Sequence, residues 1–282
     1  MAILRWFSKG GYQEKTLWTS EDRNWSVVDG EKSGVKCRFL IDGEGRLQSG
    51  VVLGDVPIPI FQYARAMVTV ACHQQSKNVL VLGGGGFCIP TAICHFVAGA
   101  EVDVVDRETR LKEVAEKYFF KPDNERLNFI EGEVKEVLSK GKTSDDYDLV
   151  IVDVFEENGL VPSELFDVEI FSSLKNLLGE DGVFLWNISA GRGGRWEEAV
   201  GRILSTAGRV GVVMKAFFHE EQSSNFYRNI LLSNGAIDLD LLPGWGDAGI
   251  AEHGDTISAT SPLVWPERHL RKGIGSNWVA VS

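Results

Sequence analysis

Four consecutive glycines follow a short apolar run in this sequence, and an acidic residue closes the next apolar run. Residues 79–82 (V-L-V-L) are typical of a strand buried on both faces, and residues 83–86 are all glycine. Glycines permit positive φ and let a backbone approach a ligand closely. Asp106 lies where a carboxylate could bind two ribose hydroxyls. This order predicts the first half of a nucleotide-binding βαβ unit; the alternative is a tight structural turn.

Further acidic residues stand at similar positions. Residues 148–153 (D-L-V-I-V-D) predict a buried strand that ends in Asp153, and Glu133 follows another apolar run. Because a charge that closes a buried strand needs a partner, Asp153 is a strong candidate for a functional role. Glu156 and Glu157 come next in a predicted loop, where the alternative is a solvated acidic surface.

Strands and helices alternate along the central part of the chain. This alternation predicts an α/β fold with a doubly wound, mostly parallel, Rossmann-like sheet. Ligand groups collect at the carboxyl ends of the strands in such a sheet, and the glycines and acids fall there. The predicted strands are 79–82, 101–105, 127–130, 148–153, 182–188, 210–217 and 229–232. The predicted helices are 61–73, 91–97, 110–120, 134–139, 170–178 and 196–206.

A small β region precedes this pattern. Residues 18–48 hold short alternating or β-branched runs separated by Asp-Gly turns, and two prolines then break the pattern near residue 57. Three segments are therefore predicted: a small N-terminal β domain over 1–57, a Rossmann-like domain over 58–240, and a tryptophan-bearing tail packed on the body over 241–282.

Composition narrows the range of partners. The net charge of -11 over 282 residues argues against a nucleic-acid partner and suits a cationic substrate. No apolar run approaches the ~18 residues of a membrane span, and residues 1–9 are too short and mixed for a secretory signal. The four cysteines form no CxxC pair and the five histidines show no metal-ligand spacing. We expect a cytoplasmic protein with reduced thiols and no metal.

Several motifs taken together resemble the spermidine synthase family, the polyamine aminopropyltransferases built on the class I S-adenosylmethionine-dependent methyltransferase fold. The motifs are L-I-D-G-E-G-R-L-Q-S, F-Q-Y, V-L-V-L-G-G-G-G, V-D-V-V-D, D-L-V-I-V-D and the helix leading into G-V-F-L. The resemblance extends from about Val27 to about Leu232. In this family a small β domain precedes the doubly wound domain, as predicted here, and is a candidate pairing surface for a homodimer.

The resemblance implies a role for each candidate site residue. The donor would be S-adenosylmethionine or its decarboxylated form, and the acceptor a small amine or other cation. Asp106 would hold the donor ribose, and Asp153 would orient and deprotonate the attacking amine. Glu156 would be the second catalytic acid, with Glu157 in reserve. The residues expected to line the donor site are Gln48, Tyr63, Arg65, Gly83, Gly84, Gly85, Gly86 and Glu133.

The sequence also departs from the family pattern. Gly86 stands where the family usually carries an Asp that pairs with the amino group of the decarboxylated donor, and Ala64 and Arg65 replace His and Glu. Two like charges about 4 Å apart repel by ~1 kcal/mol in water and ~4 kcal/mol at an effective dielectric of 20. The larger figure is roughly a thousandfold in binding. Loss of the acid therefore favours intact S-adenosylmethionine, with Arg65 as a carboxylate clamp or, alternatively, as a helix-surface charge.

Three functional interpretations follow. The first is an alkyltransferase that moves an aminopropyl or 3-amino-3-carboxypropyl group to an amine. The second is a methyltransferase on the same scaffold. The third is a non-catalytic nucleotide-binding or scaffold protein, against which the retained Asp106 and Asp153 count. The segment 159–166 and the tail are expected to shape the acceptor pocket.

Overall fold

The computed structural model describes residues 15–32, 35–119, 125–140, 146–156, 161–190, 196–219, 228–242 and 245–247. The strands are β1 (Lys15–Thr19), β2 (Trp25–Lys32), β3 (Val35–Asp42), β4 (Leu47–Val52), β5 (Asn78–Leu82), β6 (Glu101–Asp106), β7 (Leu127–Glu131), β8 (Tyr147–Val152), β9 (Leu178–Ala190), β10 (Lys215–His219), β11 (Arg228–Ser233) and β12 (Trp245–Asp247). The helices are α1 (Gln62–Gln74), α2 (Cys88–Phe96), α3 (Arg110–Tyr118), α4 (Val134–Ser139), α5 (Val168–Leu177) and α6 (Trp196–Arg209). Short 3-10 turns occupy Ser163–Phe166 and Leu239–Leu241.

The first four strands form an antiparallel sheet in the order β1-β2-β3-β4. Alternation along β3 places Cys37 and Phe39 in one apolar cluster with Ile60, while Leu40 points to the other face. There Leu40 packs with Leu111 of α3. The small sheet is therefore held against the larger unit from both faces.

The second sheet has eight strands in the order β12-β10-β11-β9-β8-β5-β6-β7. The five strands from β9 to β7 run parallel, whereas β11 pairs antiparallel with both β9 and β10. Residues 220–227, which join β10 to β11, are too few for the dozen or more residues of a parallel crossover. The predicted α/β class with a doubly wound, mostly parallel sheet and a small N-terminal β unit is confirmed.

Helices cover both faces of this sheet, as the apolar pattern of β5 requires. Val79 and Val81 enter one core layer together with residues of α1 and α2. Leu80 and Leu82 enter the other, together with residues of α5 and α6. A strand that contributes to two cores must be apolar on both faces, which explains its uninterrupted run.

Several element boundaries differ from the predicted ones, and two of these differences have a local backbone cause. Helix α2 begins at Cys88 because Phe87 takes a left-handed conformation (φ 58°) that ends the glycine loop. Strand β10 begins only at Lys215, since Gly211 adopts φ 73° and turns the chain after α6. Both turns require a residue with positive φ, and the hydrophobic periodicity of the sequence does not predict which residue adopts it.

The predicted domain boundary near residue 57 falls between β4 and α1. Beyond residue 240, the three residues of β12 pair with β10. Residues 248–282, with Trp265 and Trp278, lie outside the described part of the chain, so the predicted packing of the tail stays a prediction.

Three further findings concern the described residues alone. Their helices include none long and apolar enough to cross a membrane. No group of three or more His, Cys, Asp or Glu side chains among them is arranged to hold a metal ion. No disulfide joins the four cysteines, of which Cys37, Cys88 and Cys94 are buried and Cys72 is half-buried.

Candidate active site

The glycine loop leaves β5 through a backbone path that only glycine follows without strain. Gly83 has φ 99° and donates its N–H to the carbonyl of Val105 at 2.8 Å. A Cβ on Gly83 would lie 2.2 Å from the carbonyl oxygen of Asp153. The loop is therefore pressed against the end of β8, and glycine is required there both by conformation and by space.

Asp106 at the end of β6 braces the loop. Its Oδ2 accepts from the N–H of Gly84 at 2.6 Å and, more weakly, from that of Gly85 at 3.4 Å. Its Oδ1 accepts from the N–H of Glu108 at 2.9 Å. A carboxylate offers about four acceptor sites, so these bonds leave Asp106 capacity for a ligand hydroxyl.

Asp153 follows the last residue of β8 and lies beside the glycine loop. Asn187 donates from Nδ2 to its Oδ1 at 2.7 Å, and the Tyr63 hydroxyl donates to the same carboxylate. Tyr63 reaches it from the first turn of α1, with its ring stacked on Phe61 at a centroid distance of 5.9 Å. Asp153 is thus positioned by a strand end, a helix and a neighbouring strand.

Burial shifts the titration of this group. Desolvation raises the pKa of Asp153 to about 6, and the hydrogen bonds from Asn187 and Tyr63 oppose that rise. Desolvation, with the nearby Asp153 charge, also raises the pKa of Tyr63 well above its usual value. Tyr63 therefore stays a proton donor, while Asp153 titrates close to neutrality, where a carboxylate can accept a proton reversibly.

The pocket has a volume of about 200 Å³ and lies between the small sheet and the larger one. Its wall on the small-sheet side includes Trp25, Gln48 and Ser49. Its other walls carry six carboxylate residues: Asp106, Glu108, Glu133, Asp153, Glu156 and Glu164. Arg107 also lines it, 3.4 Å from Glu133. The excess of acids favours a cationic ligand.

Most of the residues predicted for the site line this pocket. They are Gln48, Tyr63, Gly83, Gly84, Gly85, Asp106, Glu133, Asp153 and Glu156. Gln48 is held by Asp42, to whose Oδ2 its Nε2 donates at 2.7 Å. The pocket walls do not include Gly86, which lies beside Ser49 and Phe119. Glu157 and residues 159–160 lie outside the described residues.

Arg65 lies in a different environment. Its Nε donates to the carbonyl of Pro59 at 2.7 Å, and it does not belong to the pocket walls. Burial lowers the pKa of its guanidinium, and Cys37 of the small sheet lies nearby. The structure therefore places Arg65 at the junction between the sheets, so neither the clamp nor the surface-charge interpretation describes its contacts.

Sequence reasoning missed two residues of the site, Asn187 behind Asp153 and Cys88 on the pocket wall. Asn187 interrupts the apolar run of β9, and an Asn inside a buried strand signals a polar partner that could have been sought. Cys88 lines the pocket and accepts a hydrogen bond from the Ser49 hydroxyl at 2.9 Å. Burial raises the pKa of Cys88 to about 12, so its thiol is uncharged at neutral pH and contributes a neutral group to the pocket wall. Nothing in its local sequence distinguishes Cys88 from a core cysteine.

Comparison with known proteins bears on this arrangement. Residues 60–189 match a protein-family model that is described as "Spermine/spermidine synthase domain". This stretch is similar to the spermine/spermidine synthase family. The match includes α1, the glycine loop, Asp106 and Asp153, which are the elements that build the pocket floor. The resemblance predicted from the sequence is confirmed.

Two curated relatives share the name polyamine aminopropyltransferase. A polyamine aminopropyltransferase of Clostridium beijerinckii is 32% identical over 124 residues, 42% of either chain. One from Vibrio vulnificus is 25% identical over 130 residues, 45% of this chain and 43% of its own length. The chain thus spans less than half the length of these relatives, and their similarity supports an enzyme of the transferase class.

A solved structure extends the likeness to the whole fold. A probable spermidine synthase from Corynebacterium glutamicum superposes with a TM-score of 0.65 at 16% identity, covering 90% of this chain and 99% of the other. At this identity the likeness shows the fold alone.

Proposed function

We propose that this protein is an alkyltransferase that moves an aminopropyl-type group from a sulfonium nucleoside to an amine. The observation that carries the proposal is the Asp153 carboxylate. It lies in the pocket beneath the glycine loop and accepts hydrogen bonds from Asn187 and Tyr63. The curated relatives are aminopropyltransferases by name, which supports the same reaction here.

In the proposed donor site, the nucleoside lies along the loop residues 83–85. Asp106 accepts from a ribose hydroxyl with the capacity that its backbone hydrogen bonds leave. Glu133, on the pocket wall immediately before α4, lies near the base. This order follows the carboxyl ends of β5, β6 and β7, which are neighbours in the sheet.

The chemical step needs a correctly placed, unprotonated nucleophile. The amine nitrogen attacks the carbon next to the sulfonium sulfur, the new C–N bond forms, and the C–S bond breaks to release a neutral thioether. An alkyl amine with a pKa near 10 arrives mostly protonated, so its proton must leave. Asp153 takes that proton, and Tyr63 and Asn187 hold the carboxylate during the transfer.

Carboxylates near Asp153 suit a second positive charge on the acceptor. Glu156 lies on the pocket wall three residues after Asp153, and Glu164 lies on the 3-10 turn at the same wall. A linear diamine could place one nitrogen at Asp153 and its distal ammonium at these acids.

Methyl transfer from intact S-adenosylmethionine is the second candidate function. It is favoured by Gly86, because a side chain there would meet Ser49 at 3.1 Å and Phe119 at 3.3 Å. An acid at position 86 would therefore crowd Ser49 and Phe119, and the loop carries no acid that would repel the donor carboxylate. Arg65, at the sheet junction, does not contribute to this choice.

Product analysis distinguishes these candidates. The protein is incubated with each donor and linear diamines of increasing length, and the nucleoside product is identified by mass spectrometry. Methylthioadenosine from the decarboxylated donor, with an extended amine, supports the proposal. S-adenosylhomocysteine from the intact donor would establish methyl transfer instead. Calorimetric binding of neither donor would favour the non-catalytic interpretation.

The rate of transfer is expected to depend on the Asp153 proton. Because desolvation raises the pKa of this carboxyl to about 6, kcat/KM for the acceptor should bend near that pH. Below the bend it should fall about tenfold per pH unit as the base becomes protonated. The acceptor ammonium titrates near 10, far above this range. A profile without a bend between pH 5 and 7 would remove Asp153 as the base.

Donor preference is expected to respond to a charge at position 86. The double variant Gly86→Asp with Ser49→Gly introduces a loop carboxylate and removes its contact with the Ser49 side chain, which leaves the 3.3 Å contact with Phe119. It should shift relative affinity toward the decarboxylated donor by at least about tenfold, since the acid repels the carboxylate of the intact donor. Calorimetry with both donors measures the shift. The control pairs Gly86→Asn with Ser49→Gly, and an equal shift there would exclude a charge effect.

A further inference from the structure

Asn187 is a fully buried polar side chain on the face of β9 that also carries Val183 and Leu185. Its exposed fraction is 0%. On the same face, Leu185 and Val183 belong to the large core layer that also holds Leu231. An amide in such a place is costly unless both of its ends are hydrogen-bonded.

The donor end and the acceptor end of the Asn187 amide each have a hydrogen-bond partner. Nδ2 donates to Oδ1 of Asp153 at 2.7 Å, while Oδ1 accepts from Nδ2 of Asn229 at 3.0 Å. Asn229 lies on β11, where Asn187 faces Leu231 and Asn229 faces Ser189. The two asparagines are therefore diagonal neighbours on one face of an antiparallel pair.

The Asp153 carboxylate only accepts hydrogen bonds and so takes the NH₂ end of Asn187, while Asn229 donates to the carbonyl end. An Asn side chain has a donor end and an acceptor end of nearly equal shape, so shape alone would let either face Asp153. With a donor at its other side, Asn187 is satisfied only when its NH₂ group points to Asp153. The reverse orientation would place a carbonyl oxygen against the carboxylate and, with Asn229 in its present orientation, would set donor against donor.

We propose that Asn187 is a positioning residue for the Asp153 base and that Asn229 locks the Asn187 amide in its donating orientation. The inference rests on the proposed function, since it assigns a role within that site. The donated bond fixes the rotation of the carboxylate and stabilises its charged form against the desolvation that opposes it. A strand two positions away in the sheet, β11, thereby controls the base on β8.

Two variants test separately the hydrogen bond that Asn187 donates to Asp153 and the orientation of Asn187 by Asn229. Asn187→Leu keeps the side-chain volume but removes the bond to Asp153. Asn229→Asp offers only acceptor oxygens, which turns the NH₂ group of Asn187 away from Asp153. In both variants the Asp153 carboxyl should titrate at least about one pH unit higher than in the wild type. Asn229→Leu leaves Asp153 to orient Asn187 by itself and should move the titration by less.

The primary measurement does not depend on transfer activity. Carboxyl ¹³C resonances of labelled aspartate are followed by NMR through a pH titration, with Asp153→Asn identifying the Asp153 signal. If the wild type transfers no group from either donor, the proposed function fails while the titration still tests the lock. In active protein, the bend of the kcat/KM profile should move with the NMR titration.

Asn234→Ala is the matched control. Asn234 follows β11 at its opposite end, and its Oδ1 accepts from the N–H of Phe184 on β9 at 2.7 Å. This variant weakens the same strand pair away from Asp153, so it should lower stability and leave the Asp153 titration unchanged. An unshifted titration in Asn187→Leu, or in Asn229→Asp should the first variant not fold, would overturn the proposal.

Discussion

Replacing Asp153 with asparagine is expected to lower kcat/KM by about 10²–10⁴-fold, the usual contribution of a general base. Asparagine keeps the shape of the side chain and can still accept from Asn187, so the loss isolates the proton-accepting charge. Donor affinity measured by calorimetry should change little, because the ribose acid is Asp106. A fall of less than about tenfold would mean that the amine loses its proton elsewhere.

The same substitution is expected to stabilise the protein above about pH 6. Desolvation raises the folded-state pKa of Asp153 from 3.8 to about 6, so between these values the native state binds more protons than the unfolded state. The free energy of unfolding of the wild type therefore falls as pH rises through this window. Asp153→Asn lacks the titrating carboxyl, so its free energy of unfolding should exceed that of the wild type by about 1–3 kcal/mol at neutral pH. This difference should vanish below about pH 4.

Urea unfolding at pH 4 and pH 7 measures this difference. Asp148→Asn at the other end of β8 is the matched control, because that carboxylate is exposed and accepts from the N–H groups of Lys77 and Asn78. Its removal should lower stability, the opposite sign. A variant with both lower activity and lower stability at Asp153 would instead indicate a structural carboxylate.

Gly83→Ala is expected to damage both fold and site. The added Cβ would lie 2.2 Å from the carbonyl oxygen of Asp153, and φ 99° is itself unfavourable for alanine. Backbone strain of about 1–3 kcal/mol and an overlap of similar cost give a total of about 2–6 kcal/mol. Relief requires β5 and β8 to separate at their ends, which moves Asp153. A displacement of about 1 Å can cost ~10²-fold in rate.

Gly99→Ala separates strain from contact. Gly99 also has positive φ, 74°, but a Cβ there meets nothing within 4 Å. It should cost about 1 kcal/mol in urea unfolding and leave kcat/KM unchanged. Equal effects of the two substitutions would show that conformation alone, and not the approach of the loop to β8, requires glycine at position 83.

Local pattern alone determined where the polar groups stand along the chain. Uninterrupted apolar runs marked the strands, and glycine or acid after each run marked its carboxyl end. Because parallel strands end at one edge, this was enough to bring the glycine loop, Asp106 and Asp153 together. Each of these inferences uses residues adjacent in sequence or a rule that holds for any parallel sheet.

Tertiary structure decided where the side chains point and what they meet. Arg65 stands on the predicted helix, yet its guanidinium turns to the carbonyl of Pro59 at the sheet junction. Asn187 and Asn229 are 42 residues apart and become neighbours only through the antiparallel pairing of β9 and β11. Trp25 and Ser49 reach the pocket because the small sheet packs against α3. Such contacts depend on the relative placement of whole elements, which periodicity does not encode, since it reports only which face of each element is buried.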